Sequence, residues 1–138
     1  MRGTGVDHFD LVVSDLERSL DFYRALLEPL GYTGTGEIVG EQGEHVVYIG
    51  GKGVVPFSLR QARTPGTYDR YRVGIHHVAF EAWSRGLVDE RAAWLAERGA
   101  EIESQPQEYG YMPGYYALFF YDPDGIKLEI VHVPGLAA

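Results

Sequence analysis

Tyr115 to Val131 reads YYALFFYDPDGIKLEIV, and its punctuation decides the fold. Asp122-Pro123-Asp124-Gly125 has the chemistry of a type I turn: Asp first, Pro pre-set for the second position, Gly at the fourth. Apolar, β-branched and aromatic residues flank it on both sides, so the segment is a hairpin. In the second arm Leu128, Glu129 and Ile130 alternate, which puts one carboxylate on the face opposite its two apolar neighbours. With the apolar side against a helix, Glu129 looks into a cupped sheet. A carboxylate there is costly unless paired or coordinated. A metal ion meets that cost, and so does an ion pair with Arg60.

Upstream of the hairpin one order of elements occurs twice. Val6–Val13 alternates as a strand, and Ser14 with Glu17 forms a capping box for a helix. Leu16, Leu20, Tyr23, Leu27 and Leu30 follow as an apolar stripe that Gly31 ends. Three strands are expected near Thr33–Val39, His45–Ile49 and Val54–Leu59. Residues 61–74 (QARTPGTYDRYRVG) read as a linker. Then Ile75–Phe80 is a strand, Gly86–Arg98 a helix with Leu87, Val88, Trp94 and Leu95 on one side, and Gly99 its stop. A strand near Glu101–Gln107 and the opening hairpin complete the second set. The pattern is strand–helix–three strands, twice. His8 and His77 stand 69 positions apart and Gly31 and Gly99 stand 68 apart, so His77 rather than His76 is the partner of His8. By alternation His76 points to the helix side, or else hydrogen-bonds locally, and His132 points away from that face, whereas Asp10 and Glu81 share it.

The bulk numbers bound the function. A chain of 138 residues, 45% hydrophobic and 23% charged, makes one ordinary soluble domain. A net charge of −8 without a basic cluster argues against nucleic acid and anionic membranes as partners. No run approaches the ~18 apolar residues of a membrane span, and MRGTGVDHFD lacks a signal-peptide core. Without cysteine there is no disulfide and no thiolate metal site, which fits a cytoplasmic location.

VDHFDLVVSDLERSLDFYRALLEPLGY at the front, IHHVAFEA at the start of the second half and DPDGIKLEI near the end resemble the vicinal oxygen chelate superfamily. Its members include glyoxalases, extradiol dioxygenases, fosfomycin-resistance enzymes and bleomycin-resistance proteins. The resemblance implies an α+β fold of two βαβββ modules whose eight strands form a cupped mixed sheet around a metal. On that pattern residues 1–138 are a single domain, with module one at 5–60, the linker at 61–74 and module two at 75–134. The family's metal positions fall on His8, His77 and Glu129. The fourth, flanked by Phe57 and Leu59, falls on Ser58, a poor ligand, and this departs from glyoxalase I.

A 2-His-1-carboxylate set leaves open positions and suits Fe2+, with Mn2+, Zn2+, Ni2+ or Co2+ as alternatives. The resemblance therefore implies a divalent-metal enzyme acting on a small molecule with adjacent oxygens, dioxygenase-type cleavage standing ahead of isomerase or lyase chemistry. Tyr116, Tyr121 and His45 are candidates for moving protons. Asp10, Arg60 and the loop tyrosines Tyr109, Tyr111 and Tyr115 are candidates for holding substrate, the tyrosines serving equally well at a dimer interface. A homodimer is the expected state. The opposing reading, which Ser58 and the acidic surface favour, is a metal-free binding protein of the bleomycin-resistance type.

Overall fold

The computed structural model describes residues 5–135, which divide into two compact units, one up to residue 66 and one from residue 67. The division falls within the 61–74 segment.

In the first unit β1 (Phe9–Val13) leads into α1 (Leu16–Leu27), a short 3-10 turn (Glu28–Leu30), β2 (Gly34–Val39), β3 (His45–Gly50) and β4 (Phe57–Gln61). The sheet order is β1-β4-β3-β2, with β1 parallel to β4 and the other pairs antiparallel. The cap of α1 is Asp15, whose carboxylate accepts from the Arg18 amide, rather than Ser14. Both residues have capping chemistry; Ser14 instead accepts a bond from the Arg18 guanidinium. The buried stripe is Ser19, Phe22, Tyr23, Leu26 and Leu27, turned from the expected one so that Leu16 and Leu20 are only half-buried. It packs on the side of the sheet carrying Leu11, Leu59, Phe57 and Ile49; the Tyr23 ring meets Phe57 edge-on at 5.5 Å.

The second unit repeats the plan with β5 (Val78–Glu81), α2 (Arg85–Glu97), β6 (Ile102–Glu108), β7 (Tyr116–Tyr121) and β8 (Lys127–His132), in sheet order β5-β8-β7-β6. Ser84 caps α2 by accepting from the Leu87 amide. Gly31 and Gly99 hold φ of 106° and 76°, the left-handed conformation that ends a helix, as their shared place in the repeat requires. The 122–125 turn is closed by Gly125 N–H to Asp122 O, and the Asp122 carboxylate accepts from the amides of Asp124 and Ile126. Phe80, Ile130, Leu118, Leu128 and Phe120 form the helix-side core. Both units thus follow the expected βαβββ pattern, with strand ends shifted: β4 begins after Pro56, and β5 begins at Val78, so His76 and His77 precede the strand.

Candidate functional site

Strand register brings one row of residues across the second sheet, on the side away from α2: Ala79, Glu129, Phe119 and Ser104. Glu129 sits between Leu128 and Ile130, both in the core, so period two forces its carboxylate to the other side. It is 1% exposed. One oxygen accepts from His77 Nε2 at 3.1 Å, and the other accepts from the Tyr115 hydroxyl. A neutral His77 that donates at Nε2 must accept at Nδ1, where the His76 Nδ1–H supplies the donor at 2.9 Å.

These groups line a cavity of about 410 Å³ whose aromatic walls are Tyr109, Tyr111, Tyr115 and Phe119. Tyr109 and Tyr111 stack with their rings parallel at 5.5 Å, and Tyr109 meets Phe119 edge-on at 5.4 Å. The 109–115 loop is closed by Tyr109 N–H to Tyr115 O. Burial, and then the bond to Glu129, push the Tyr115 phenol well above its ordinary range, so it stays protonated near neutrality and remains a hydrogen-bond donor. Burial, and then the charge of its neighbour His77, lower the His76 imidazole.

The far side of the cavity is charged. Lys127 Nζ lies 2.7 Å from Glu103 Oε2 and over the Phe119 ring at 4.8 Å. Glu103 Oε1 accepts from Tyr121 at 2.7 Å and from Arg70 at 3.3 Å. The Lys127 bond, then the Tyr121 bond, hold the Glu103 carboxyl below the usual range. Glu103 and Ser104 both reach the cavity because β6 bulges: Ile102 pairs with Phe120 and Ser104 with Phe119, two residues against one.

The equivalent row in the first unit is Asp10, Ser58, Tyr48 and Gly36. Counting two residues on from His8 and from His77 reaches Asp10 and Ala79, so register makes Ser58 the counterpart of Glu129. Here the charge has moved to the neighbouring strand, where Asp10 binds Arg60 Nε at 2.5 Å and Arg60 also reaches Glu41 and Glu44. His8 is exposed, with Asp7 at 2.7 Å and Asp10 at 3.9 Å.

A family model described as the glyoxalase/bleomycin resistance protein/dioxygenase superfamily matches residues 5–130. The chain belongs to that superfamily. YqjT of Bacillus subtilis (strain 168), an uncharacterized protein, is 33% identical over 132 residues, which cover 90% of this chain and 95% of that protein. The crystal structure of a glyoxylase/bleomycin resistance protein/dioxygenase domain from Frankia sp. EAN1pec is similar at a TM-score of 0.77 and 28% identity, covering 97% of this chain and 96% of that one. The fosfomycin resistance protein FosX of Listeria monocytogenes shares the fold at a TM-score of 0.68 and 19% identity, over 96% of this chain and 95% of its own.

Against the glyoxalase/dioxygenase pattern, two of the three expected ligands, His77 and Glu129, meet in the second unit. A nitrogen and a buried carboxylate oxygen beside a cavity form a donor pair that suits a borderline divalent ion. Among the described residues no group of three or more His, Asp and Glu side chains is gathered as a metal site. His8 belongs to the first unit. Of the other sequence candidates, Tyr109, Tyr111 and Tyr115 line the cavity, and Tyr121 stands behind Glu103. Tyr116 faces α2, donating to Asp89, because it alternates with Ala117 and Phe119. His45 pairs with Glu37 at 3.1 Å, and Asp10 and Arg60 bind one another. His76, expected on the helix side or in a local hydrogen bond, makes the local bond, to His77 at 2.9 Å, and lines the cavity, since alternation does not govern residues ahead of β5. Lys127, Glu103 and Ser104 were missed. Period two counted back from Glu129 marks Lys127; nothing in the sequence marks the bulge.

Proposed function

We propose that this chain is a divalent-metal-dependent enzyme acting on a small molecule with two adjacent oxygens, with oxygen-dependent cleavage ahead of isomerase or lyase chemistry. The observation that carries the reading is Glu129: a carboxylate withdrawn from water, beside an imidazole, facing an aromatic-walled cavity. Glu129 and His77 are the ligands that this reading assigns in the second unit. A bound ion would supply Lewis acidity and a template for a chelating substrate, and iron would add reaction with dioxygen. The protein's own groups do the rest. Phe119 and the tyrosines give a planar substrate an aromatic wall, and the protonated Tyr115 hydroxyl holds the Glu129 carboxylate in place through its hydrogen bond. Ser58 in place of a fourth ligand favours open coordination. We place the working form in the cytoplasm as a homodimer; the lack of cysteine fits a reducing compartment.

One observation favours a second reading, a metal-free binding protein: both Glu129 oxygens already have protein partners. Elemental analysis separates the two. The purified protein is expected to carry a divalent metal that a His77→Ala/Glu129→Ala double variant lacks. No metal in the wild type, or equal content in both, overturns the enzyme reading. Oxygen uptake with catechols by iron-loaded protein then tests the dioxygenase subreading.

A further inference from the structure

Lys127 has no place in the metal reading. Its side chain is 14% exposed, and its ammonium carries three donors. Among the described residues its one ion-pair partner is Glu103, at 2.7 Å through Oε2, so donors remain for a ligand in the cavity that Lys127 lines. Glu103 also accepts from Arg70, so the carboxylate that faces Lys127 is shared between two cations. Lys127 precedes Glu129 by two residues on one strand face, which sets their backbones roughly 7 Å apart. Phe119, paired directly across from Glu129, has the Lys127 ammonium over its ring at 4.8 Å and the His77 imidazole edge-on at 6.1 Å between centroids.

We propose that Lys127 is the specificity-determining residue of this cavity, and that the substrate is an aryl carboxylate whose ring packs among the cavity tyrosines and whose carboxylate takes the spare donors of Lys127. This deepens the functional reading above and rests on it for the identity of the cavity. The opposite edge of the ring then faces Glu129, His77 and Tyr115, where the adjacent oxygens belong. A neutral or cationic substituent would leave the ammonium as it is, short of acceptors, and gains nothing from it.

The test uses benzoate and benzamide, planar probes of similar shape that differ in charge and lack adjacent oxygens, so that neither needs a metal. Isothermal titration of the full chain is expected to show benzoate binding at least about tenfold more tightly than benzamide. Lys127→Met should bring that ratio to about one, Lys127→Arg should retain most of it, and Glu103→Gln should raise benzoate affinity by freeing the ammonium. Equal affinities in the wild type, a preference unchanged in Lys127→Met, or no binding of benzoate overturns the proposal. Metal analysis of the same samples keeps the two readings apart. A benzoate preference in protein without metal sustains Lys127 and removes the metal enzyme, and metal-bearing protein indifferent to the charge does the reverse.

Discussion

Two rows of four residues, each crossing one sheet away from its helix, show how one plan is used twice with different results. In the second unit the row is Ala79, Glu129, Phe119 and Ser104; in the first it is Asp10, Ser58, Tyr48 and Gly36. The second puts its carboxylate on the inner strand, where Tyr115 and His77 satisfy it and an aromatic cavity opens beside it. The first has a serine there, and its carboxylate on β1 is neutralised by Arg60, which Glu41 and Glu44 surround. The helix sides of both sheets are alike. Their shared apolar rows make two βαβββ units, and the opposite rows are where the two differ.

The largest effects should therefore come where the units agree. Phe57 and Leu128 occupy equivalent positions on the helix sides of β4 and β8, and both are wholly buried. Phe57→Ala is expected to cost about 3–5 kcal/mol and Leu128→Ala about 2–5 kcal/mol, read from urea unfolding at neutral pH. Loss of less than about 1 kcal/mol at either position would break the equivalence of the two cores.

Smaller effects should separate the units. Ser58→Glu copies the second unit's carboxylate into the first, where Asp10 stands directly across. Like charges then face each other in a buried place with no phenol or imidazole supplied for the new group, and about 1–3 kcal/mol of stability should be lost. A neutral result would mean that the first row already accommodates a site. In the second unit Tyr115→Phe removes one of the two donors to Glu129 and should cost about 1–3 kcal/mol, the penalty of an unsatisfied buried acceptor. An unchanged melting temperature in that variant would show that the bond is not holding the carboxylate.

The smallest effect is a pH dependence. The Glu103 carboxyl is held below its ordinary value of 4.5, first by Lys127 and then by Tyr121. A depressed folded pKa means that the stabilisation is fully present above the unfolded value and is lost as pH falls through the folded one. Glu103→Gln should therefore flatten the acid side of the urea-midpoint profile below about pH 4.5 and lower the midpoint slightly at pH 7. Superimposable acid limbs would remove the Lys127–Glu103 pair from the stability of this unit.

Much of this was legible in the chain. The Asp122–Gly125 turn, Glu129 between two apolar neighbours, and the match of Gly31 with Gly99 follow from local chemistry that tertiary context leaves alone. Ser58 as the counterpart of Glu129 could be read from its flanking Phe57 and Leu59, and register agrees. What escaped was set by contact or by irregular backbone. Ser14 and Asp15 have equal capping chemistry, and only the folded helix chooses Asp15. His76 was legible as a local hydrogen-bond partner but not as a cavity residue, because it precedes β5, and Glu103 escaped because a bulge shifts its strand. Tyr115 was legible as a cavity tyrosine but not as the partner of Glu129, since it stands 14 positions earlier, across a turn whose closure no periodicity describes.

The central claim is that Glu129, and not its counterpart Ser58, is the working position of this protein. Cobalt(II) titration followed by visible absorption tests it most directly. Ser58→Ala should bind cobalt as the wild type does, while Glu129→Ala should bind at least about tenfold more weakly. Equal binding by Glu129→Ala and the wild type, or a loss confined to Ser58→Ala, would contradict the account.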